Sequence, residues 1–419
     1  MCGDPAERML ARRRSVLPAL LAAMVVAAIG GGCASPTRVG PPVPLPRATD
    51  QSAYHSGQHH TTVSARETWK IHGEDFDVTL LSPTARGAYP LVIYLPGLGE
   101  TSAAGLAWRR TWAEAGYAVL SVQPASASTA VWSSERARAF DFRAIALEHF
   151  SPRNFPSRLA ALQGVIDEAG RRQHEGGDGP YSRIDVSRIA IAGYDLGAEA
   201  AMVVAGQNAP DTAIGPAPQA VKSVIALSPY ADFAGMGVEA RFREIHMPVL
   251  SVTSPDDTDA YGLVTTAAVR RAPFEHMPPG QKYLLLLAAA PHSLLGGRDE
   301  PVAERDEGKS GSRSGGDPES SGRHRAGGAG GGSAGGNDRG SGRDARGARG
   351  GADSGPGGDV DMLSARPNIA GLWATQLRNV QGVTTAYLDA TVKSDPVASE
   401  WLTRDANRWL GGSASLMVK

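Results

Sequence analysis

Residues 188–202 read RIAIAGYDLGAEAAM, and their reading decides the fold. Ile189 to Ala192 form a short apolar run with no polar alternation, which predicts a strand buried on both faces. Gly193 and Gly197 frame a tight turn, and the residues from Leu196 onward have helical composition. The segment is therefore strand, turn and helix, with an aspartate, Asp195, at the centre of the turn. Aspartate tolerates positive φ better than most residues that carry a Cβ. It also faces a helix N-terminus, where unpaired N–H groups and the helix dipole stabilise negative charge.

The same alternation of short apolar runs and helical periodicity extends along the chain from Glu67. It is the pattern of an α/β fold, a mostly parallel central sheet with helices on both faces. Strands are expected at FDVTLLSP (76–83), YPLVIYLPG (89–97), YAVLSVQP (117–124), VKSVIALSP (221–229), MPVLSVTSP (247–255) and QKYLLLLAA (281–289). Helices are expected at 107–116, with Gly116 as the stop, at 156–169 and from Leu196. WSSERARAFDFRAIALEHF (132–150) has the spacing of an ordinary amphipathic helix, with a segment that shapes a substrate pocket as the alternative. Glu199, one helical turn beyond Asp195, reads as part of a solvated helix face.

The character changes at residues 298–360, which are built of Gly, Ser, Arg and Asp with few large apolar side chains. Such a segment cannot bury enough surface to offset its ordering entropy, so a disordered insertion is expected. Its acids nearly balance its bases and stacking aromatics are missing, which argues against an RNA-binding tail. Helical spacing resumes at 372–395 and 396–412, within a 361–419 region expected to complete the domain that 67–297 begins.

With 419 residues, 42% of them hydrophobic, the chain can bury a substantial core. A formal net charge of -1 gives no broad field for phosphate backbones, so a nucleic-acid partner is not expected. The only cysteines, Cys2 and Cys33, precede the patterned body, which can hold no disulfide and no cysteine zinc site. His55, His59 and His60 cluster in sequence without a neighbouring carboxylate or cysteine, so they read as solvated and no metal is expected.

Arg8 and Arg12 to Arg14 precede VLPALLAAMVVAAI, an apolar run of about 14 residues and too short to span a bilayer. This is a signal-peptide profile over residues 1–33, and Met9 is an alternative start. The following GGGCAS resembles a bacterial lipoprotein cleavage box, although Gly30 stands where such boxes usually carry Leu. The resemblance implies export to the bacterial cell envelope and a lipid anchor on Cys33 that binds the membrane; ordinary cleavage and secretion is the alternative. Residues 34–66 are expected to be a proline-rich, disordered tether.

The body resembles the α/β-hydrolase family, in particular its compact, lidless esterase, lipase and dienelactone-hydrolase-like branch. The resemblance rests on three landmarks in the family's chain order of nucleophile, acid and histidine. They are the GYDLG turn, TSPDDTDA at the end of the 247–255 strand, and AAAPHSLLGG after the 281–289 strand. It implies Asp195 at the nucleophile position, Asp257 as the acid with Asp256 as alternate, and His292 as the base. The backbone amides of Leu98, within LPGLGE, and of Leu196 would form the oxyanion hole, and Pro96 departs from the His that many relatives carry. No cofactor is implied, and the partner would be a small-molecule substrate.

Asp in place of the usual elbow serine occurs in the haloalkane dehalogenase and epoxide hydrolase branches. Those relatives usually have Trp where this chain has Leu196, and a large lid where residues 229–247 leave no room for several packed helices. The functional expectation is a hydrolase of an ester or related small substrate using an Asp-His-Asp variant of the triad. The alternative is a catalytically degenerate envelope lipoprotein that binds a ligand or partner.

Overall fold

The computed structural model describes residues 53–298, except 176, 210–211, 232–236, 260 and 265, and residues 369–419. Cys33 and its leader, the tether up to residue 52, and the 298–360 segment beyond Arg298 lie outside the described residues.

In chain order the first elements are β1 (Thr62–Ile71), β2 (Glu74–Pro83), β3 (Tyr89–Leu95), α1 (Leu106–Glu114) and β4 (Ala118–Pro124). Next come α2 (Glu135–Arg138), α3 (Phe142–His149), α4 (Phe155–Glu175), β5 (Ile184–Tyr194), α5 (Leu196–Ala205) and β6 (Val221–Leu227). They are followed by α6 (Val238–Phe242), β7 (Val249–Thr253), α7 (Ala272–His276), β8 (Lys282–Leu287) and α8 (His292–Leu295). The chain ends with α9 (Ile369–Thr391), α10 (Pro396–Arg404), α11 (Ala406–Leu410) and β9 (Ala414–Val418).

The nine strands form one sheet in the order β1-β2-β4-β3-β5-β6-β7-β8-β9. From β4 to β8 every neighbouring pair is parallel, while β1, β2 and β9 pair antiparallel at the edges. The expected mostly parallel sheet is therefore present. Its helices lie on both faces, because alternate residues of each central strand point to opposite sides. In β3, Val92 and Tyr94 join the core formed with α1 and α9 to α11, whereas Leu91 and Ile93 join the core formed with α4 and α5.

Large aromatics fill the first of these cores, and several of their polar ends are bonded, although the buried Tyr94 and Tyr387 hydroxyls have no partner among the described residues. The Trp112 indole donates to Thr384 Oγ1 at 3.0 Å, and the Trp108 indole donates to the Leu295 carbonyl at 3.0 Å. The buried Asp389 carboxylate accepts from Tyr117 and from Tyr54, each at 2.7 Å, and pairs with Lys393 at 2.8 Å. Helix α9 thus packs into the same core as α1, on the far side of the 298–360 segment in sequence.

Three features correct the sequence reading. Strand β1 begins at Thr62, and Tyr54 is bonded to α9, so ordered chain starts inside the stretch expected to be tether. As an edge strand with one polar, exposed side, β1 lacks the continuous apolar run that marks the inner strands. The C-terminal region adds β9, a five-residue edge strand, to the expected helices. Residues 132–150 do not form one helix: Ser134 caps α2 and Asp141 caps α3, with the chain turning between them through Phe140 at φ 59°.

Candidate active site

The turn after β5 is as tight as its glycines imply. A Cβ on Gly193 would come within 2.0 Å of the Gly197 carbonyl oxygen, and one on Gly197 within 1.9 Å of the Leu95 carbonyl oxygen. Both contacts are with backbone, so neither position admits a side chain without moving the sheet. Between them Asp195 adopts φ 53°, ψ -112° and opens α5.

The Asp195 carboxylate is 4% exposed and divides its two oxygens. Oδ2 accepts the Leu98 amide at 3.3 Å, and Oδ1 lies 3.7 Å from His292 Nε2, too long for a hydrogen bond. Leu196 follows at the first position of α5, its side chain packed in one cluster with Leu98.

The Leu98 amide is aimed by the loop around it. Gln123, at the end of β4, donates from Nε2 to the carbonyls of Gly97 (3.0 Å) and Ala127 (2.8 Å), while the Gly99 amide donates to Ala127 at 2.8 Å. Gly99 has φ 74°, and the Trp132 ring lies so close that any Cβ there would overlap it. Trp132 donates to the Gly99 carbonyl at 3.3 Å and stacks on Tyr261 with ring centroids 5.8 Å apart. Thus Trp132, at the start of the 132–150 segment read as an amphipathic helix, supplies cover for this loop. The Glu100 carboxyl is pushed up by burial and by the nearby Asp195 charge, against the opposing pull of the Gly97 amide and Arg298. A pocket of about 360 Å³, lined in part by Gly99, Glu100, Gly297 and Arg298, flanks the loop.

Asp257 is fully buried just beyond β7, whereas Asp256 is exposed. Asp257 Oδ1 is 2.8 Å from His292 Nδ1 and accepts from Ser228 Oγ at 2.7 Å; Oδ2 accepts from Thr253 Oγ1 at 2.7 Å. Arg270 Nε lies 3.3 Å from Oδ1 and donates to the Asp257 carbonyl at 2.9 Å. Burial opposes ionisation of Asp257, but the His292 bond, the Arg270 charge and Thr253 outweigh it and hold the carboxyl below the usual carboxylate range. This pairing places the His292 Nδ1 proton toward Asp257 and leaves Nε2 facing Asp195 as an acceptor.

The His292 backbone is fixed from two sides. Tyr194 donates to its carbonyl at 3.1 Å, and Ser254 Oγ bridges both the amide and the carbonyl of Ala290. The structure therefore brings Asp195, Leu98, His292 and Asp257 together and leaves Asp256 outside.

Glu199 differs from its expected place on a solvated face: it is fully buried, accepting from Gln207 at 2.7 Å and Arg241 at 3.3 Å. Helix α5 packs against both the sheet and α4, and nine of its ten residues are buried, so it has no solvated face at that position. Ser228, Thr253, Arg270, Gln123 and Trp132 were not singled out by sequence. Ser228 stands at a strand end in the left-handed region, φ 58°, a conformation no residue pattern announced. Among the described residues no group of three or more His, Cys, Asp or Glu side chains is placed to hold a metal ion, and no helix is long and apolar enough to cross a membrane.

A scan against models of known protein families finds none that matches this chain, and a search among curated proteins finds none similar to it.

Proposed function

We propose that the chain is an α/β-hydrolase that processes a small molecule through a covalent intermediate on Asp195, with His292 as base and Asp257 orienting it. The observation that carries this reading is the division of the Asp195 carboxylate, Oδ2 on the Leu98 amide and Oδ1 toward His292. Attack of Oδ1 on an electrophilic carbon displaces a leaving group with its electron pair and forms an ester whose carbonyl oxygen is Oδ2. That oxygen already sits on the Leu98 amide. Water deprotonated by His292 Nε2 then adds to Cγ, and the negative charge gathers on Oδ2, where the amides of Leu98 and Leu196 stabilise it. The Cγ–Oδ1 bond breaks, the departing alkoxide takes the proton from His292, and the carboxylic acid left behind, with one oxygen from water, gives its remaining proton through His292 to solvent, which regenerates the carboxylate.

This geometry ranks the substrates. In direct attack on a carboxylic ester the developing oxyanion belongs to the substrate, and the hole is already filled by Oδ2. Displacement at saturated carbon, as in an epoxide or a haloalkane, generates no such oxyanion until the enzyme ester itself is hydrolysed. Esters remain within the class, and alkyl electrophiles are favoured over them.

Specific observations also favour a second reading, a binding protein without turnover: Asp195 is 4% exposed, and its own oxygen fills the hole. Intact-mass measurement of His292→Ala incubated with epoxides, haloalkanes and short-acyl esters separates the two. The first predicts an adduct on Asp195 that the variant cannot hydrolyse, and one oxygen-18 in that carboxylate after a single turnover of the parent in labelled water. No adduct in the variant and no turnover in the parent select the second. The proposal includes export and a lipid anchor on Cys33, which rest on the leader sequence and are tested by metabolic labelling with a radioactive fatty acid in parent and Cys33→Ser.

A further inference from the structure

Phe140 combines two unfavourable features. It takes φ 59°, a left-handed conformation that Gly or Asn adopts readily and a bulky side chain does not. Its ring is also 81% exposed. That ring meets Phe142 edge-on at 6.2 Å, and Phe142 and Leu147, both on α3, are exposed as well. Among the described residues seven large apolar side chains are exposed. Four of them, Leu106, Phe140, Phe142 and Leu147, follow the C-terminal ends of β3 and β4, at the end of the sheet where Asp195 and His292 sit. Phe142 in turn meets Trp132 at 5.9 Å, and Trp132 covers the loop that carries Leu98.

The chain ahead of the body points to the occupant. The proposed anchor, Cys33, and the first described residue, Ala53, are 20 residues apart, a span of about 65 Å when extended. A domain of this length has a radius of gyration of about 19 Å, so such a tether lets any side of it turn to the bilayer. A tethered group meets the surface at an effective concentration in the millimolar range, and a patch too small to bind a membrane by itself then docks. Arg138 and Arg143 flank the ring pair in sequence and are exposed, as an apolar patch that enters an anionic headgroup layer requires.

We propose that Phe140, Phe142 and Leu147 insert into an anionic phospholipid surface and hold the end of the sheet that carries Asp195 against it. The proposal rests on the anchor at Cys33 and is independent of chemistry at Asp195.

A fluorophore that brightens and shifts to the blue in lipid tests it. In the full chain carrying Cys2→Ser it is attached at Ala139→Cys, exposed beside the ring pair, or at Val397→Cys, exposed on α10. The fatty-acylated protein is reconstituted in vesicles of phosphatidylethanolamine and phosphatidylglycerol. The probe at 139 should shift to the blue, brighten at least threefold and be quenched by nitroxide-labelled lipid, and the probe at 397 should do none of these. Phe140→Asn, whose side chain suits φ 59°, should keep or raise the melting temperature and abolish the change at 139, which separates membrane contact from folding. No change at 139 or an equal change at 397 would overturn the proposal. So would a change at 139 without vesicles as the protein concentration rises, which marks a second copy as the occupant. If the parent takes up no fatty acid, the anchor reading fails and flotation of the parent with the same vesicles decides: binding that Phe140→Asn abolishes retains the patch, and any other result overturns it.

Discussion

The Leu98 amide donates to Oδ2 of Asp195 at 3.3 Å, so an acid side chain stands in the place from which a transition-state charge would be stabilised. The same contact makes the carboxylate rigid and points its other oxygen at His292. Asp195→Asn keeps the shape and removes the proposed nucleophile. Turnover of any substrate that the parent processes should fall about 10⁴-fold or more, while thermal scanning should find the melting temperature unchanged or raised, since a buried charge is removed.

Gly197→Ala places a methyl group 1.9 Å from the Leu95 carbonyl oxygen. No rotamer relieves a clash with backbone, so the loss should be about 3 kcal/mol or more, or failure to fold. Urea denaturation checks it. Ala at Gly237, whose added Cβ would meet nothing within 4 Å, serves as control and should lie within about 0.5 kcal/mol of the parent.

Asp257 couples stability to acid. Its folded carboxyl is held below the unfolded value of about 3.9, so its contribution is fully present above that pH and is lost as the pH falls toward the folded value. The stability gap between the parent and Asp257→Asn should therefore be wide at pH 7 and narrow below about pH 3.9. Denaturant midpoints at both pH values measure it, and a gap that stays constant would contradict the assignment.

Tyr54→Phe removes one of the two phenols on Asp389 while Tyr117 and Lys393 remain. A hydrogen bond to a charged acceptor contributes about 1.5 kcal/mol, so a loss of that order is expected in equilibrium unfolding. No change would mean that residues before β1 do not brace the core.

Much of the sheet was legible because β3 to β8 are buried on both faces and so carry uninterrupted Val, Ile and Leu. The elbow was legible because its glycines are sterically compelled. Asp257 and His292 could be placed by their distance from strand ends, which fixes where a loop side chain emerges. The residues that aim them were not legible. Gln123 reads as the last polar residue of a strand, Arg270 as one of two adjacent arginines, and Trp132 as a member of a helix that the caps at Ser134 and Asp141 interrupt. Their roles arise from contacts across 4, 13 and 33 residues, which no local period encodes.

The placement of α9 bears on what happens if the chain is cut. Residues up to Arg298 supply one half of the aromatic core and residues from Ile369 the other, with Trp112 and Tyr117 bonded to Thr384 and Asp389 across that seam. A protease acting between those two limits would yield a nicked pair held together without a covalent link. Equally, the two pieces could be made separately and would reconstitute the body on mixing, as a split protein does.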